Sequence, residues 1–181
     1  MADQEPKLDS YIIRKAEQMS DLHQMAEINR KVFAGSGNIA NGLEWIYNLW
    51  KSGPIYQYYV IKSEHDQGTV LGYSGWQVHG GFDRIEPTIE LDQIGIATFA
   101  QGKGLGEKLI RSCITQIAPW IATRSSRCGG YVSFIVWGYC DNAPAMRLYG
   151  KIFTEGVCGI RTQFENREEF MHRLRVPIGA C

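Results

Sequence analysis

A glycine-rich segment in the middle of the chain has the residue types of an anion site. An apolar stretch (residues 94–97) leads through Thr-Phe-Ala into a short loop, and a helical pattern starts immediately afterwards. A turn between a strand and a helix leaves backbone N–H groups unpaired at the positive end of the helix dipole, and glycine lets an anion approach them closely. The loop that predicts this phosphate-binding site consists of Gln101, Gly102, Lys103, Gly104, Leu105 and Gly106.

Two common phosphate-binding motifs do not fit this loop. A dinucleotide-binding G-x-G-x-x-G that starts at Gly102 would need glycine at position 107, which is Glu107. A nucleotide-binding P-loop needs Lys and then Ser or Thr after its last glycine, whereas Leu105 follows Gly104. The loop instead has the form Q-x-x-G-x-G.

A second motif lies further along the chain, after the continuous apolar run 131–137. It has the form N-x-x-A-x-x-L-Y, with Asn142, Ala145, Leu148 and Tyr149. In this order and context the two motifs resemble the GNAT superfamily of acetyl-CoA-dependent N-acetyltransferases, and the resemblance covers residues 10–176. It implies an α/β fold with a mixed, mostly antiparallel sheet flanked by helices and a central strand–glycine loop–helix cofactor site.

The resemblance also implies the cofactor, acetyl-CoA as acyl donor, and no metal. The backbone of the strand before the glycine-rich loop, at Ile94 and Ile96, would contact the pantetheine amides and the thioester. The glycine-rich loop would bind the pyrophosphate, and Asn142 would form a hydrogen bond with the pantetheine. Lys103 or Arg111 is a candidate for the 3′-phosphate, with a solvated helix face as the alternative for both. Besides the six loop residues, the implied cofactor-binding set is Ile94, Gly95, Ile96, Glu107 and Asn142.

Acetyl transfer to an amine needs a base and an acid. A lysine-like amine has a pKa of about 10.4, so a proton must be removed at neutral pH. Glu90, on the strand that feeds the loop, is the candidate base and Asp92 a weaker one. Strand alternation predicts that both carboxylates lie on the same face as Ile94 and Ile96. The resemblance makes Tyr149 the candidate acid for the leaving thiolate. A solvated Glu90 and a purely structural Tyr149 are the alternatives.

The acceptor pocket is expected between the second helix, the loop after it and the final hairpin loop. Aromatic residues there would form its wall or belong to the core, and acidic residues near its entrance favour a cationic substrate. These residues are Trp45, Tyr47, Trp50, Tyr56, Tyr58, Glu165 and Arg167, with Asp83, Glu86, Glu90 and Asp92 at the entrance. The acceptor is a small-molecule amine or a protein amine, and a homodimer is conceivable by analogy.

Periodicity places these residues on eleven elements in the order β-α-α-β-β-β-α-β-α-β-β. Strands are expected at 11–16, 56–63, 70–79, 88–97, 131–137, 156–164 and 168–176. The first helix starts at an N-cap Ser20 and ends at 35–37. The other helices cover 42–50, 104–118 with Pro119 just past its end, and a stretch between Pro144 and Gly150. We expect one acetyltransferase domain over residues 1–181, with residues 1–9 as a flexible tail.

Composition limits the kinds of partner and cellular location that we expect. Nineteen basic and nineteen acidic residues give a formal net charge of zero, which argues against nucleic acid as a partner. No stretch has the length of a membrane span, the N-terminus has no apolar signal segment, and the five cysteines indicate reduced thiols. We therefore expect a cytoplasmic protein with no membrane partner. A non-catalytic acyl-CoA sensor, transfer of a longer acyl group and a lone cysteine nucleophile are the rival interpretations.

Overall fold

The computed structural model describes residues 10–33, 38–64, 68–125, 130–163 and 167–178. The elements have the predicted types in the predicted order, with a single 3₁₀ turn at Thr98–Ala100. They are β1 (Tyr11–Lys15), α1 (Met19–Val32), α2 (Ile39–Lys51), β2 (Tyr56–Ser63), β3 (Val70–His79), β4 (Thr88–Ile96), α3 (Leu105–Ala122), β5 (Tyr131–Tyr139), α4 (Ala143–Ile152), β6 (Val157–Gln163) and β7 (Arg167–Pro177). The expected tail 1–9 lies outside the described residues.

All seven strands belong to one sheet in the order β1-β2-β3-β4-β5-β7-β6. The pairing of β4 with β5 is parallel, and every other neighbouring pair is antiparallel. The expected mixed, mostly antiparallel sheet is confirmed. β5 pairs with β4 on one side and β7 on the other, so it is an interior strand with neighbours on both sides, as the sequence indicated. Val132, Phe134 and Val136 of its apolar run are buried, whereas Tyr131 at its start is exposed.

The helices cover both faces of the sheet, and two consecutive residues of β3 identify the faces. The Tyr73 hydroxyl accepts a hydrogen bond of 2.8 Å from the Asn29 side chain of α1. The Ser74 hydroxyl lies 3.4 Å from the Cys113 sulfur of α3. Successive strand residues point to opposite faces, so the face of Tyr73 is here named the α1 face and that of Ser74 the α3 face. Helix α4 packs on α3, β5 and β7.

A buried aspartate fixes the start of α1 and corrects the expected cap. Asp21 is fully buried and binds Arg14 of β1 at 2.8 Å and Lys62 of β2 at 3.2 Å. Its carboxylate also accepts the backbone N–H of Gln18 at 3.3 Å, which makes Gln18 the N-cap and leaves Ser20 in the first turn. The Asp21 carboxylate fixes the helix start because it also binds side chains from two strands. A search for capping residues in the local sequence does not reveal these long-range contacts.

Two other helix boundaries differ from prediction by three residues or more. Helix α2 begins three residues earlier than expected because the Asn38 side chain accepts the backbone N–H of Asn41 at 2.9 Å and caps it. Helix α3 continues through Pro119, which was expected beyond its end. The loss of one helical hydrogen bond there is offset by packing, since Ile121 is fully buried and the Trp120 ring meets Phe82 at 5.4 Å. Residues 34–37, expected to end α1, lie outside the described parts.

Candidate active site at the opening between β4 and β5

The two central parallel strands separate part-way along their length. Their register runs from Thr88 opposite Ser133 to Leu91 opposite Val136. Beyond that pair, β4 continues to Ile96 and β5 to Tyr139, and in the described part of the chain they share no further register. The sheet therefore has an opening beside the second half of β4, in front of the glycine-rich loop.

The backbone of β4 directs hydrogen-bonding groups into this opening. Ala97 donates to the Leu71 carbonyl oxygen at 2.9 Å, which makes Leu71 and Ala97 a hydrogen-bonded pair. Antiparallel alternation then turns the peptide groups of Ile94 and Ile96 away from β3, toward the side from which β5 has departed. An extended ligand with amide groups fits this edge because it can pair with a strand that lacks a neighbour. The backbone role of Ile94 and Ile96 in binding a ligand stays a prediction, and the Ile96 carbonyl already accepts the Gln101 side chain.

The glycine-rich loop has the backbone conformation of an anion cradle. Gly102 and Gly104 have positive φ angles of 76° and 74°, a region that glycine enters without strain. Gly104 is also the N-cap of α3, and no side chain caps that helix end, so its first N–H groups face the loop. The Gln101 side chain donates to the Ile96 carbonyl at 3.0 Å and ties the loop to the end of β4. Lys103 is exposed.

The neighbouring helices are in close contact behind the loop. A Cβ on Gly106 would lie 3.3 Å from Leu148 and 3.9 Å from Ile94, so the glycine lets α3 approach both α4 and β4. Glu107 is paired with Arg111 at 2.9 Å, and Arg111 also donates to the Lys151 carbonyl. Arg111 is therefore held on the helix surface by these two contacts.

Asn142 caps α4 beside the opening. Its side-chain oxygen accepts the backbone N–H of Ala145 at 3.3 Å, and the residue is exposed. The side-chain NH₂ group is not used by the cap, so Asn142 retains a donor for a ligand. This dual position explains why an asparagine suits the site better than an aspartate, which has no donor.

A β-bulge interrupts the alternation of β4. Gly75 of β3 lies opposite Gln93, but the next residue, Trp76, lies opposite Leu91. Asp92 therefore has no partner on β3 and is the extra residue of the bulge. A glycine within a strand pattern can mark such a feature, but β3 contains two, Gly72 and Gly75, so the pattern does not locate the bulge.

The bulge makes the predicted single face wrong. Ile94 pairs with Ser74, so its side chain lies on the α3 face. Glu90 pairs with Gln77, which is four residues after Tyr73 on β3 and points to the same side, so Glu90 lies on the α1 face. The Glu90 carboxylate and the Ile94 side chain thus point to opposite sides of the sheet. The cofactor loop and Glu90 consequently approach the opening from different faces.

Glu90 is half-buried and has a histidine neighbour that sequence reasoning missed. The Nε2 atom of His79 lies 2.5 Å from Glu90 Oε2. His79 is at the end of β3 and Glu90 near the start of β4, so the hairpin brings them together diagonally across the strand pair. A histidine here can share a proton with the carboxylate, which suits a proton-accepting site.

Asp92 belongs to a tyrosine-rich network on the α1 face. Its Oδ2 atom accepts the Tyr56 hydroxyl at 2.6 Å and the Gln93 amide at 3.1 Å. The same Gln93 amide nitrogen lies 3.1 Å from the Tyr58 hydroxyl. Burial raises the pKa of both tyrosines well above the usual value, and the nearby Asp92 carboxylate raises both further. They therefore remain neutral phenols.

Tyr149 belongs to α4 and lies on the other side of the sheet. It is 7% exposed, and its ring packs edge-on against Phe153 at 6.2 Å and beside His172 at 6.3 Å. A Cβ on Gly138 of β5 would lie 2.9 Å from the ring, so the absence of a side chain at Gly138 lets the tyrosine ring pack directly on the strand. Burial raises the pKa of Tyr149 to about 12, which keeps its hydroxyl protonated.

His172 is a second histidine that the sequence did not single out. It is buried on β7, and within the described residues neither ring nitrogen has a hydrogen-bond partner. Burial lowers its pKa because the charged form would lose its hydration. A neutral His172 ring therefore packs beside the Tyr149 ring.

The residues expected to form the acceptor pocket divide between core and surface. Tyr56 and Tyr58 are buried, Trp45 is exposed, and Trp50 donates from its ring nitrogen to the Ala16 carbonyl at 2.9 Å. The Tyr47 ring stacks on Trp50 at 6.0 Å. Residue 165 and the side chain of residue 167 lie outside the described parts. Of the expected acidic entrance, Glu86 is neutralised by Arg175 at 2.8 Å.

The structure argues against Cys113 as a nucleophile. Cys113 is fully buried in α3, and burial raises the pKa of its thiol to about 12. No group of three or more His, Cys, Asp or Glu residues that could hold a metal ion occurs in the parts of the chain that the structure describes. In those parts there is likewise no helix with the length and apolar character of a membrane span.

Solved structures share this architecture over nearly the whole chain. The ribosomal-protein-S18-alanine N-acetyltransferase from Escherichia coli has a TM-score of 0.68 at 17% identity, covering 94% of this chain and 97% of its own. NAA60 from Arabidopsis thaliana, in complex with acetyl-CoA, has a TM-score of 0.66 at 14% identity, with coverages of 92% and 99%. The spermidine/spermine N-acetyltransferase SpeG from Vibrio cholerae has a TM-score of 0.58 at 16% identity, with coverages of 91% and 92%. At these identities the likeness shows the fold.

The family of the chain is identified by its sequence. No curated protein matches it significantly. A sequence model of the acetyltransferase (GNAT) family, however, matches residues 22–153, which include β4, the glycine-rich loop, α3 and α4. On this match and the shared fold, the chain belongs to the GNAT family of acetyltransferases.

Proposed function

We propose that this chain is an N-acetyltransferase that moves an acetyl group from acetyl-CoA directly to a primary amine of a small molecule or a protein. The observation that carries the proposal is the opening between β4 and β5, which has an anion cradle and Tyr149 on one face and Glu90 on the other. Two substrates that approach from opposite faces would meet there without a covalent enzyme intermediate.

The donor would be held by backbone more than by side chains. The N–H groups around Gly102 and Gly104 would bind the pyrophosphate, and the peptide groups of Ile94 would pair with the pantetheine arm, with Asn142 as a further donor. Because Arg111 neutralises the Glu107 carboxylate, that side chain adds little repulsion toward a phosphate. Acetyl-CoA supplies the acetyl group in activated form, as a thioester.

Glu90 would take the proton from the acceptor. An alkylammonium acceptor must lose one proton before its nitrogen has a lone pair to attack the carbonyl carbon. The Glu90 carboxylate would accept that proton on the α1 face, and His79 at 2.5 Å would share it. The new C–N bond then forms as the C–S bond breaks.

Tyr149 would stabilise the departing thiolate. Its pKa of about 12 exceeds the value of about 8.5 for an ordinary thiol, so complete proton transfer would be uphill by about 5 kcal/mol. A hydrogen bond from the phenol to the thiolate carries no such cost. Tyr149 therefore acts as a donor to the developing negative charge, and solvent supplies the proton as the thiol departs.

A calorimetric titration with acetyl-CoA tests the donor site. We expect binding in the micromolar range, about −8 kcal/mol, with no heat from NAD or ATP. Titration at two temperatures prevents a zero enthalpy from being read as no binding. Binding without release of free thiol on addition of any primary amine would favour the non-catalytic sensor, and no binding at either temperature would overturn the proposal.

A further inference from the structure

Asp92 occupies a special position on β4. It is the bulged residue, and it directly follows Leu91, the last residue of β4 in register with β5. It is therefore the first residue of β4 to border the opening. The residue is also exposed to solvent, whereas its neighbours Leu91 and Gln93 are buried. A ligand on the α1 face can reach this carboxylate.

Only one of the two carboxylate oxygens is used inside the protein. Oδ2 accepts from Tyr56 at 2.6 Å and from Gln93 at 3.1 Å. Among the described residues, nothing donates to Oδ1, and no Lys, Arg or His pairs with Asp92. These two internal bonds fix the carboxylate in place and leave one oxygen facing outward.

Nearby carboxylates have basic side chains beside them. Glu90 contacts the His79 ring, and Glu86 binds Arg175 through two nitrogens at 2.8 Å each. Within the described residues, no basic side chain of the fold contacts Asp92. Its negative charge is left for something outside the chain to neutralise.

The groups that hold Asp92 in place are themselves buried. Tyr56 is 3% exposed, Tyr58 1% and Gln93 6%, so within this network Asp92 is the residue that a ligand can reach. The Tyr56 and Tyr58 rings lie 5.0 Å apart over Gly75, where a Cβ would come within 2.8 Å of the Tyr58 ring. An alkylammonium group has three donors and no acceptor, so it complements the outward oxygen of the carboxylate.

We propose that Asp92, held by Tyr56 and Gln93, binds a second cationic group of the acceptor, which makes the preferred substrate a diamine or polyamine. The inference rests on the proposed function. Glu90 receives the proton of the reacting amine, and Asp92 holds the other ammonium. Their Cα atoms are roughly 6 Å apart along the strand, which corresponds to a diamine with a short carbon chain.

Three acceptors of equal chain length test this inference. They are 1-aminobutane, 1,4-diaminobutane and 4-aminobutanoate, which differ only in the charge at the far end. We expect kcat/KM to be at least about tenfold higher for the diamine than for 1-aminobutane, because a charge-assisted hydrogen bond is involved. The amino acid should be the poorest of the three.

Asp92→Asn is the decisive variant because asparagine keeps an oxygen for Tyr56 and loses only the charge. It should lower kcat/KM for the diamine about tenfold and change the value for 1-aminobutane less than twofold. Tyr56→Phe should shift the same ratio in the same direction by a smaller factor. Glu64→Gln, at an exposed carboxylate directly after β2, is the charge-matched control and should change neither value.

Equal use of the diamine and the monoamine by the wild-type protein would overturn the inference. So would an Asp92→Asn effect that is the same for both amines, since Asp92 would then be a solvated or catalytic residue. Either result leaves the proposed acetyl transfer intact. If acetyl-CoA binds and none of the three amines nor any protein amine is acetylated, the proposed function itself fails, and this inference fails with it.

Discussion

Glu90 and Tyr149 lie on opposite faces of the sheet, near the point where β4 and β5 separate. Glu90 pairs with Gln77 on the α1 face. Tyr149 extends from α4, and its ring packs against Gly138 of β5 on the other face. The bulge at Asp92 produces this arrangement, because it turns Glu90 away from the face of Ile94. In the proposed mechanism, proton removal and thiolate stabilisation would therefore take place on opposite faces of the sheet and meet at the opening.

Replacing Glu90 by glutamine should remove the base and leave the donor site intact. We expect kcat/KM for an amine to fall about 10²- to 10⁴-fold, the usual contribution of a positioned base. Acetyl-CoA affinity measured by calorimetry should change less than twofold, because Glu90 lies on the other face. Activity of the variant should rise about tenfold per pH unit between pH 7 and 9 as the neutral amine becomes more abundant. Unchanged activity would assign the base to another residue.

Replacing Tyr149 by phenylalanine should lower kcat without lowering stability. In the described structure no residue hydrogen-bonds its hydroxyl, and its ring contacts are kept, so the free energy of unfolding should change by less than about 0.5 kcal/mol. Loss of one donor to the developing charge should reduce kcat about 10²-fold. Since the Tyr149 pKa is about 12, no loss of activity from its ionisation is expected below pH 10. A stable Tyr149→Phe variant with full kcat would contradict the role.

Two alanine substitutions separate the loop conformation from helix propensity. Gly104→Ala forces an alanine into a φ of 74° and should cost about 1–2 kcal/mol in folding or donor binding. Gly150→Ala places alanine in the helix α4 with nothing within 4 Å and should stabilise the protein by about 1 kcal/mol. Denaturant unfolding with and without acetyl-CoA measures both. If Gly104→Ala binds as well as the wild type, the left-handed turn is not needed for the cradle.

Gly75 is required by the tyrosines that cross it. An added Cβ would collide with the Tyr56 hydroxyl and lie 2.8 Å from the Tyr58 ring. We expect Gly75→Ala to destabilise the fold by about 1–3 kcal/mol and to raise KM for the amine more than the Kd for acetyl-CoA. An increase confined to the acetyl-CoA Kd would place these tyrosines on the donor side instead.

His172 predicts how stability depends on pH. Its folded-state pKa lies below the ordinary value of about 6.5 because it is buried, so the unfolded chain binds more protons below that pH. Its neutral form therefore contributes stability that is lost as pH falls through 6.5. Urea unfolding at pH 7.5 and 5.5 should show a smaller loss of stability in His172→Leu than in the wild type. An equal loss in both proteins would mean that other groups carry the dependence.

Local patterns were sufficient for the elements and the cofactor loop. The strand–glycine turn–helix order around Gly104 and the apolar run of β5 both act within a few residues, and both were predicted from the sequence. The strands β2 and β3 have the predicted bounds because turn residues delimit them.

Long-range pairing accounts for what was missed. The His79–Glu90 contact needs the register of a hairpin, and the Asp21 anchor needs Arg14 and Lys62 from two different strands. The bulge at Asp92 reversed the face of Glu90 because simple alternation assumes an unbroken strand. The sequence analysis treated β3 and β4 as unbroken strands and so did not foresee which residue would be displaced.

The most direct test of the account is mass spectrometry of the acceptor after incubation with acetyl-CoA and the protein. The wild type should convert a primary amine to a product one acetyl group heavier and release one free thiol per product, and Glu90→Gln should do so at least about 10²-fold more slowly. Acetyl-CoA bound at micromolar affinity with no acetylated product from small-molecule or protein amines would contradict acetyl transfer and leave the chain as an acyl-CoA-binding member of its family.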